Sequence, residues 1–363
     1  MRLLICYNLT EARQDGTTSP VELWRTKRPG QALREHTDWK VSDEVGIFPD
    51  AKKIKDVTEE EMQKRLDLFG SYDMVWGSYY TNPVMYSFTQ VIQEKTGTRF
   101  VMDCDDNIYD IDPLNPIHVN VEKKYLDFLK VIVADCDYLT TSTETLANVL
   151  RGHRPDKRAE SVVVIPNMIS TKVYKHDPID NGDKIVIGYF GGSSHWGDLH
   201  HTGMADAIEK IMHEYKNVYF KSAGMVFDKY LPKARYEFIG GQRGEGWYDL
   251  FSTLNYDIAV APLEETPFTA CKSNIKWQES AIMGACFVGS NTGPYRDSVK
   301  SGTDGFLVEN TYESWYNTLK TLVENTALRK KVATKAKETV INEHSLELNY
   351  QKVKDGLQKI YNL

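Results

Sequence analysis

The sequence predicts an α/β protein of two doubly wound domains, each a parallel sheet covered by helices. Three observations predict it. Short Val- and Ile-rich runs alternate with stretches long enough for helices, the alternation restarts after one polar seam, and the chain beyond Glu309 has helical period. At 363 residues it is long for one core and comfortable for two.

The first series opens with RLLICY and continues through DMVWGS, RFVMD, DYLTTS and SVVVIPN, with helices expected over Val119–Ala134 and Thr143–Leu150. Runs that are apolar on both faces belong in parallel sheets buried on both sides. The seam is Met168–Lys184, MISTKVYKHDPIDNGDK, rich in polar and turn residues. The second series is KIVIGYFGG, NVYFKSAG, YEFIG, DIAVAPL, CFVGS and GFLVE. Helices are then expected over Ser314–Glu324, Ala327–Thr339 and Ser345–Tyr361. The expected division is a first domain over 1–168, a linker over 169–184, a second domain over 185–343 and a last helix over 344–363. Ligands of such sheets bind beyond the carboxyl ends of the strands.

Composition narrows the class. Apolar residues at 41% and charged residues at 26% are ordinary for a globular protein, and no apolar run reaches the ~20 residues of a membrane span. MRLLICYN turns polar too soon for a signal peptide. Cys6, Cys104, Cys136, Cys271 and Cys286 are scattered and form no CxxC pair, as expected of a reduced, cytoplasmic protein. No His or Cys spacing suits a metal. A net charge of −7 argues against a coat for nucleic acid. Arg25, Lys27 and Arg28, and again Lys52, Lys53 and Lys55, form small basic clusters, but runs of this size are commonly solvated surface.

The most informative stretch is Phe268–Tyr295, FTACKSNIKWQESAIMGACFVGSNTGPY. Ser273 is expected to cap a helix reaching Met283, Gly284 to end it, CFVGS to form a strand and NTGPY a turn. At about 100° per residue, Lys272, Lys276, Glu279 and Met283 share one stripe, while Ile275, Trp277, Ala281 and Ile282 face a core. Two ammonium groups, a carboxylate and the free amides of Ser273, Asn274 and Ile275 then converge at one helix start. That suits an anion carrying hydroxyls, such as a nucleoside diphosphate. A solvated helix face with an ordinary Lys–Glu pair has the same residues.

Upstream, YFGGSSHWGDL places Gly191, Gly192, Ser193, Ser194 and His195 directly after a strand. Glycines let the backbone approach a phosphate and successive amides form an anion nest; a plain strand-to-helix turn is the alternative. FVMDCDDNIYD sets Asp103, Asp105 and Asp106 at another strand end. Carboxylates there can touch substrate, hold a divalent ion as in a DxD site, or cap the following loop.

DIAVAPLEETPF, CKSNIKWQES and MGACFVGSNTGPY, in that order within Trp247–Phe306, resemble the C-terminal signature of GT-B glycosyltransferases of the large retaining family four. The resemblance implies a GT-B fold: two Rossmann-like domains around a cleft, with the last helix crossing back onto the first domain. It also implies transfer of a sugar from a nucleoside-diphosphate donor, expected to be UDP-linked, to an acceptor hydroxyl. Retention of configuration and no metal or other cofactor are expected with it. By the same resemblance, Lys272 and Lys276 are catalytic, stabilising the diphosphate together with the Gly191–Ser194 loop. Glu279 accepts the ribose hydroxyls, Asp105 faces sugar or acceptor as a further catalytic candidate, and Gly16 and Thr17 approach the donor from the first domain. WRTKRP resembles a segment that shapes the acceptor cleft, and His195 is a candidate contact to phosphate or sugar.

Two departures stand out. An Arg–Lys pair common in the family after the glycines is missing, and Cys271 stands where a Glu is usual, leaving Glu264 or Glu265 as substitutes. The expected acceptor is a saccharide or other surface-glycan precursor. Hydroxymethylated pyrimidines in DNA, epimerisation of the nucleotide sugar, and a non-catalytic scaffold that binds it are the alternatives.

Overall fold

The computed structural model describes residues 1–7, 20–45, 57–78, 83–111, 123–154, 156–176, 180–192, 195–227, 231–242 and 244–363. Gly16, Thr17, Ser193 and Ser194, and the cluster of Lys52, Lys53 and Lys55, lie outside these residues.

Two six-stranded sheets, with parallel pairing throughout, form the frame. The first holds β1 (Arg2–Tyr7), β2 (Lys40–Val45), β3 (Met74–Gly77), β4 (Arg99–Asp103), β5 (Tyr138–Thr141) and β6 (Val162–Val164), in the order β2-β1-β3-β4-β5-β6. The second holds β7 (Ile185–Phe190), β8 (Val218–Ala223), β9 (Tyr236–Ile239), β10 (Ile258–Ala261), β11 (Cys286–Ser290) and β12 (Phe306–Val308), in the order β12-β11-β10-β7-β8-β9. In the second sheet the chain runs outward from β7 and then returns to its other side at β10. Strands diverge there, and their carboxyl ends open a crevice.

Each apolar run of the sequence forms a strand. IVIGYF and CFVGS are buried at every position, as strands sandwiched between helix layers must be. One strand gave no such signal. KVSDEV, β2, has too few apolar residues to stand out, and it forms at a sheet edge where Glu44 faces solvent. The later helices run Lys123–Asp135, Glu144–Gly152, Tyr312–Glu324, Thr326–His344 and Leu346–Tyr361.

The last helix lies on the first domain. Ile169 and Ser345 form a β-bridge, with Ile169 N–H donating to His344 O at 2.9 Å and Leu346 N–H to Ile169 O at 2.8 Å. Beyond it Val353, Leu357 and Ile360 are buried in one cluster with Leu3, Trp76 and Val163. Gly356 permits the close approach, since a Cβ there would meet Ile165 Cγ1 at 2.7 Å.

Between the domains runs a five-residue π-helical segment, Leu23–Lys27, a geometry often found at functional sites. Leu23 and Trp24 join the second domain's core beside Tyr174. Arg25, 1% exposed, pairs with Asp103 at the end of β4 through Nε–Oδ1 at 2.9 Å and Nη2–Oδ2 at 2.8 Å. Its Nη1 donates to Ile165 O (2.6 Å) and Asn167 Oδ1 (2.8 Å). Asn167 carries the network across, donating from Nδ2 to Ser273 Oγ at 2.7 Å and accepting Gln278 Nε2 on its carbonyl at 2.8 Å. Lys27 and Arg28 both reach Glu245 of the second domain, at 2.9 and 2.5 Å. The first basic cluster is thus spent on internal ion pairs.

Candidate functional site between the two sheets

The helix that the sequence singles out spans Ile275–Met283 and ends on Gly284 at φ 81°, the left-handed position that glycine takes without strain. Its N-cap is Asn274 rather than Ser273. The Ser273 hydroxyl is drawn away as an acceptor for Asn167, and Asn274 Oδ1 accepts from Gln278 Nε2 at 2.7 Å. Lys272 therefore precedes the helix and leaves the expected stripe. It reaches into the first domain, forms an ion pair with Asp106 and lies 4.3 Å from the Phe268 ring centroid. NTGPY is also corrected: Gly293–Ser298 is a short helix behind Thr292, because proline suits a first helical turn.

Lys276 stays on the helix and points at the loop after β7. Its Nζ lies 4.7 Å from the Tyr189 ring centroid and 3.4 Å from the Tyr189 hydroxyl. A Cβ on Gly191 would come within 2.9 Å of that Nζ and 2.4 Å of Tyr189 Oη. The glycine turn and the lysine, 85 positions apart by residue number, therefore meet at the β7/β10 divergence. Gly191→Ala should force Lys276 or Tyr189 aside, since the new Cβ would overlap both.

Burial, reinforced by nearby Lys272, lowers the pKa of the Lys276 ammonium to about 8. Glu279 is 4% exposed. Its Oε1 accepts from the Tyr174 hydroxyl at 2.6 Å and from Trp247 Nε1 at 2.7 Å. Oε2 makes no hydrogen bond among the described residues. Burial pushes this carboxyl up to about 7, against the pull of those two donors and of Lys276. An oriented acid with one open oxygen can accept from a vicinal diol.

The three acids after β4 divide. Asp103 is held by Arg25 and by Thr140 Oγ1 at 2.6 Å, and Asp106 is held by Lys272. Asp105 makes no hydrogen bond among the described residues, and burial beside Asp106 and Asp103 raises its pKa. Cys271 is buried among first-domain side chains, with its carbonyl accepting from Thr143 Oγ1 at 3.0 Å, so this position seals the interface. Of the two substitute acids, Glu265 is 73% exposed and pairs with Arg296. Glu264 lies beside His201 Nδ1 at 2.7 Å, and its backbone amide donates to Asp198 Oδ1 at 2.8 Å. Among the described residues no group of three or more His, Cys, Asp or Glu side chains is placed to hold a metal ion. No described helix is long and apolar enough to cross a membrane.

Sequence reasoning missed Asp198, Tyr174 and Trp247. Asp198 follows His195 by three residues and binds its Nδ1 at 2.6 Å, a spacing that was legible. Tyr174 and Trp247 reach Glu279 from 105 and 32 residues away, with no local signal. A cavity of about 620 Å³ in the second domain is separate. Asp257, Gly284 and Arg329 line it, at the amino end of β10, opposite the cleft.

Solved structures share this architecture. Sucrose-phosphate synthase from Thermosynechococcus elongatus matches with a TM-score of 0.66, over 100% of this chain and 99% of its own, at 12% identity. HepE from Anabaena, solved with UDP and glucose, matches with a TM-score of 0.62 over 99% of each chain at 14% identity. The fold is GT-B. A protein from Listeria monocytogenes assigned as a UDP-N-acetylglucosamine 2-epimerase shares the GT-B arrangement, with a TM-score of 0.56 over 99% of this chain and 96% of its own, at 12% identity. No protein-family model and no curated protein matches the sequence. At these identities the likeness establishes the GT-B fold, and chemistry has to be argued from the side chains.

Proposed function

We propose that the chain is a cytoplasmic glycosyltransferase that moves a sugar from a UDP-linked donor to a hydroxyl of a saccharide acceptor, with retention. The observation that carries this is the meeting of Lys276 with Gly191 at the carboxyl end of β7, one helical turn from Glu279. HepE was solved with UDP and glucose, which supports the same donor class here. The diphosphate would lie against Gly191, the first amides of the Ile275–Met283 helix, Lys276 and Lys272, which stabilise charge as the glycosyl–phosphate bond breaks. Glu279 Oε2 would take the ribose hydroxyls. Asp105, which makes no hydrogen bond among the described residues, would hold the acceptor hydroxyl, which attacks on the face the phosphate leaves and passes its proton to a phosphate oxygen.

Affinity for UDP-glucose should then depend on pH in a bell. Glu279 accepts hydroxyls best when ionised, so that contribution is present above about 7 and is lost as pH falls. Lys276 contributes as an ammonium, so its part is present below about 8 and lost as pH rises. Calorimetry from pH 6 to 9 should place the maximum between these values, and Glu279→Gln should remove the acid limb alone.

The likeness to the Listeria protein supports epimerisation as a second reading. DNA as acceptor is the weaker alternative, given a net charge of −7 and the internal pairing of Arg25, Lys27 and Arg28. Incubation with UDP-hexoses, scored for UDP release with and without oligosaccharides, tests the proposal. Acceptor-dependent UDP release supports transfer; interconverted sugar without an acceptor supports the epimerase.

A further inference from the structure

His195 follows the glycine loop and is the one described ring nitrogen donor or acceptor there, within the electrostatic reach of Lys276 and Lys272. Its backbone N–H donates to Gly192 O at 3.1 Å, which fixes where the ring starts. Its Nδ1 lies 2.6 Å from Asp198 Oδ2. Asp198 cannot turn away, because its Oδ1 accepts the Glu264 amide at 2.8 Å and its carbonyl accepts Thr202 Oγ1 at 2.8 Å. A carboxylate only accepts, so Nδ1 carries the ring proton and Nε2 presents a bare lone pair. Burial and the neighbouring Lys276 hold the ring neutral, with its pKa lowered to about 4.

The cations that act on this ring, the Lys276 and Lys272 ammonium groups, are donors and already suit a phosphate. A phosphate oxygen is an acceptor and gains nothing from a bare Nε2. A sugar hydroxyl can donate to it. We propose that His195, held in this tautomer by Asp198, accepts a hydrogen bond from a hydroxyl of the donor's sugar, so that His195 reads the sugar while Lys276 reads the diphosphate. Asp198 is then a positioning residue, acting through His195. This rests on the donor site proposed above, and it decides for sugar over phosphate as the partner of His195.

The test is the ratio of Kd for UDP to Kd for a UDP-hexose, taking whichever of UDP-glucose, UDP-galactose and UDP-N-acetylglucosamine the unaltered protein binds best. His195→Leu removes the acceptor and should weaken the UDP-hexose about tenfold while UDP changes less than twofold. His195→Gln keeps a carbonyl oxygen at that reach and should recover part of the loss. Asp198→Asn is the sharper variant. The Glu264 amide still requires an oxygen at Oδ1, so the new NH₂ faces Nδ1 and drives the ring proton onto Nε2. Nε2 then becomes a donor, and UDP should bind as well or better while the UDP-hexose loses its advantage, a split that mere loosening of the loop would not produce. Equal weakening of both ligands in His195→Leu, or no change in either, overturns the assignment to sugar. Failure of the unaltered protein to bind UDP at all would instead overturn the donor site, and this inference with it.

Discussion

On the proposed function, Lys276→Ala should lower turnover of a UDP-sugar by about a hundred- to a thousandfold, the effect expected when a preorganised cation is removed from a departing diphosphate. It should exceed the effect of Lys272→Ala. Lys272 shares its charge with Asp106, whereas among the described residues Lys276 makes no ion pair and rests on the Tyr189 ring and hydroxyl beside Gly191. A buried ammonium without a carboxylate partner is costly to the fold, so Lys276→Ala should melt no lower than the unaltered protein. Steady-state rates of UDP release and a melting curve check both halves. A variant that keeps its turnover, or one that loses turnover only by unfolding, would remove Lys276 from the chemistry.

Asp103→Ala destabilises the chain by about 3–5 kcal/mol, because it leaves the Arg25 guanidinium buried without its counter-charge. Burial of the arginine is complete enough that water cannot replace the lost partner, and Arg25 remains pinned to Ile165 O and Asn167. Urea denaturation should show an earlier first transition, assigned to the first domain. The double change Arg25→Met with Asp103→Leu should cost less than Asp103→Ala, since it removes the charge as well as the partner. Nearly equal stability of Asp103→Ala and the unaltered protein would contradict this account of the interface. The consequence for function is indirect: Asp103 was grouped with Asp105 and Asp106 as a site acid, and the structure gives it to the scaffold.

The strands and the site were legible to different degrees. Apolar runs such as IVIGYF and CFVGS declare themselves because a parallel strand buried on both faces has no room for polar alternation. KVSDEV did not, because an edge strand with one face wet needs few apolar residues. Lys276 was placed correctly by helical period, since it lies inside the helix. Lys272 was not, because the helix begins at Ile275 and a residue before the cap obeys no period. Ser273 looked like a cap in isolation, but a partner 106 residues away, Asn167, takes its hydroxyl. The groups that tune Glu279 and His195 split in the same way. Asp198 sits one short helical turn from its histidine and could be read, whereas Tyr174 and Trp247 come from other elements and only folding brings them to Glu279.

The most direct test of the central claim is a crystal structure of the protein soaked with UDP. The account predicts the β-phosphate within hydrogen-bonding distance of Lys276 Nζ and the Gly191 backbone, with a ribose hydroxyl on Glu279 Oε2 while Oε1 keeps Tyr174 and Trp247. UDP bound elsewhere, with Lys276 still resting on Tyr189 and Glu279 Oε2 still open, would contradict it.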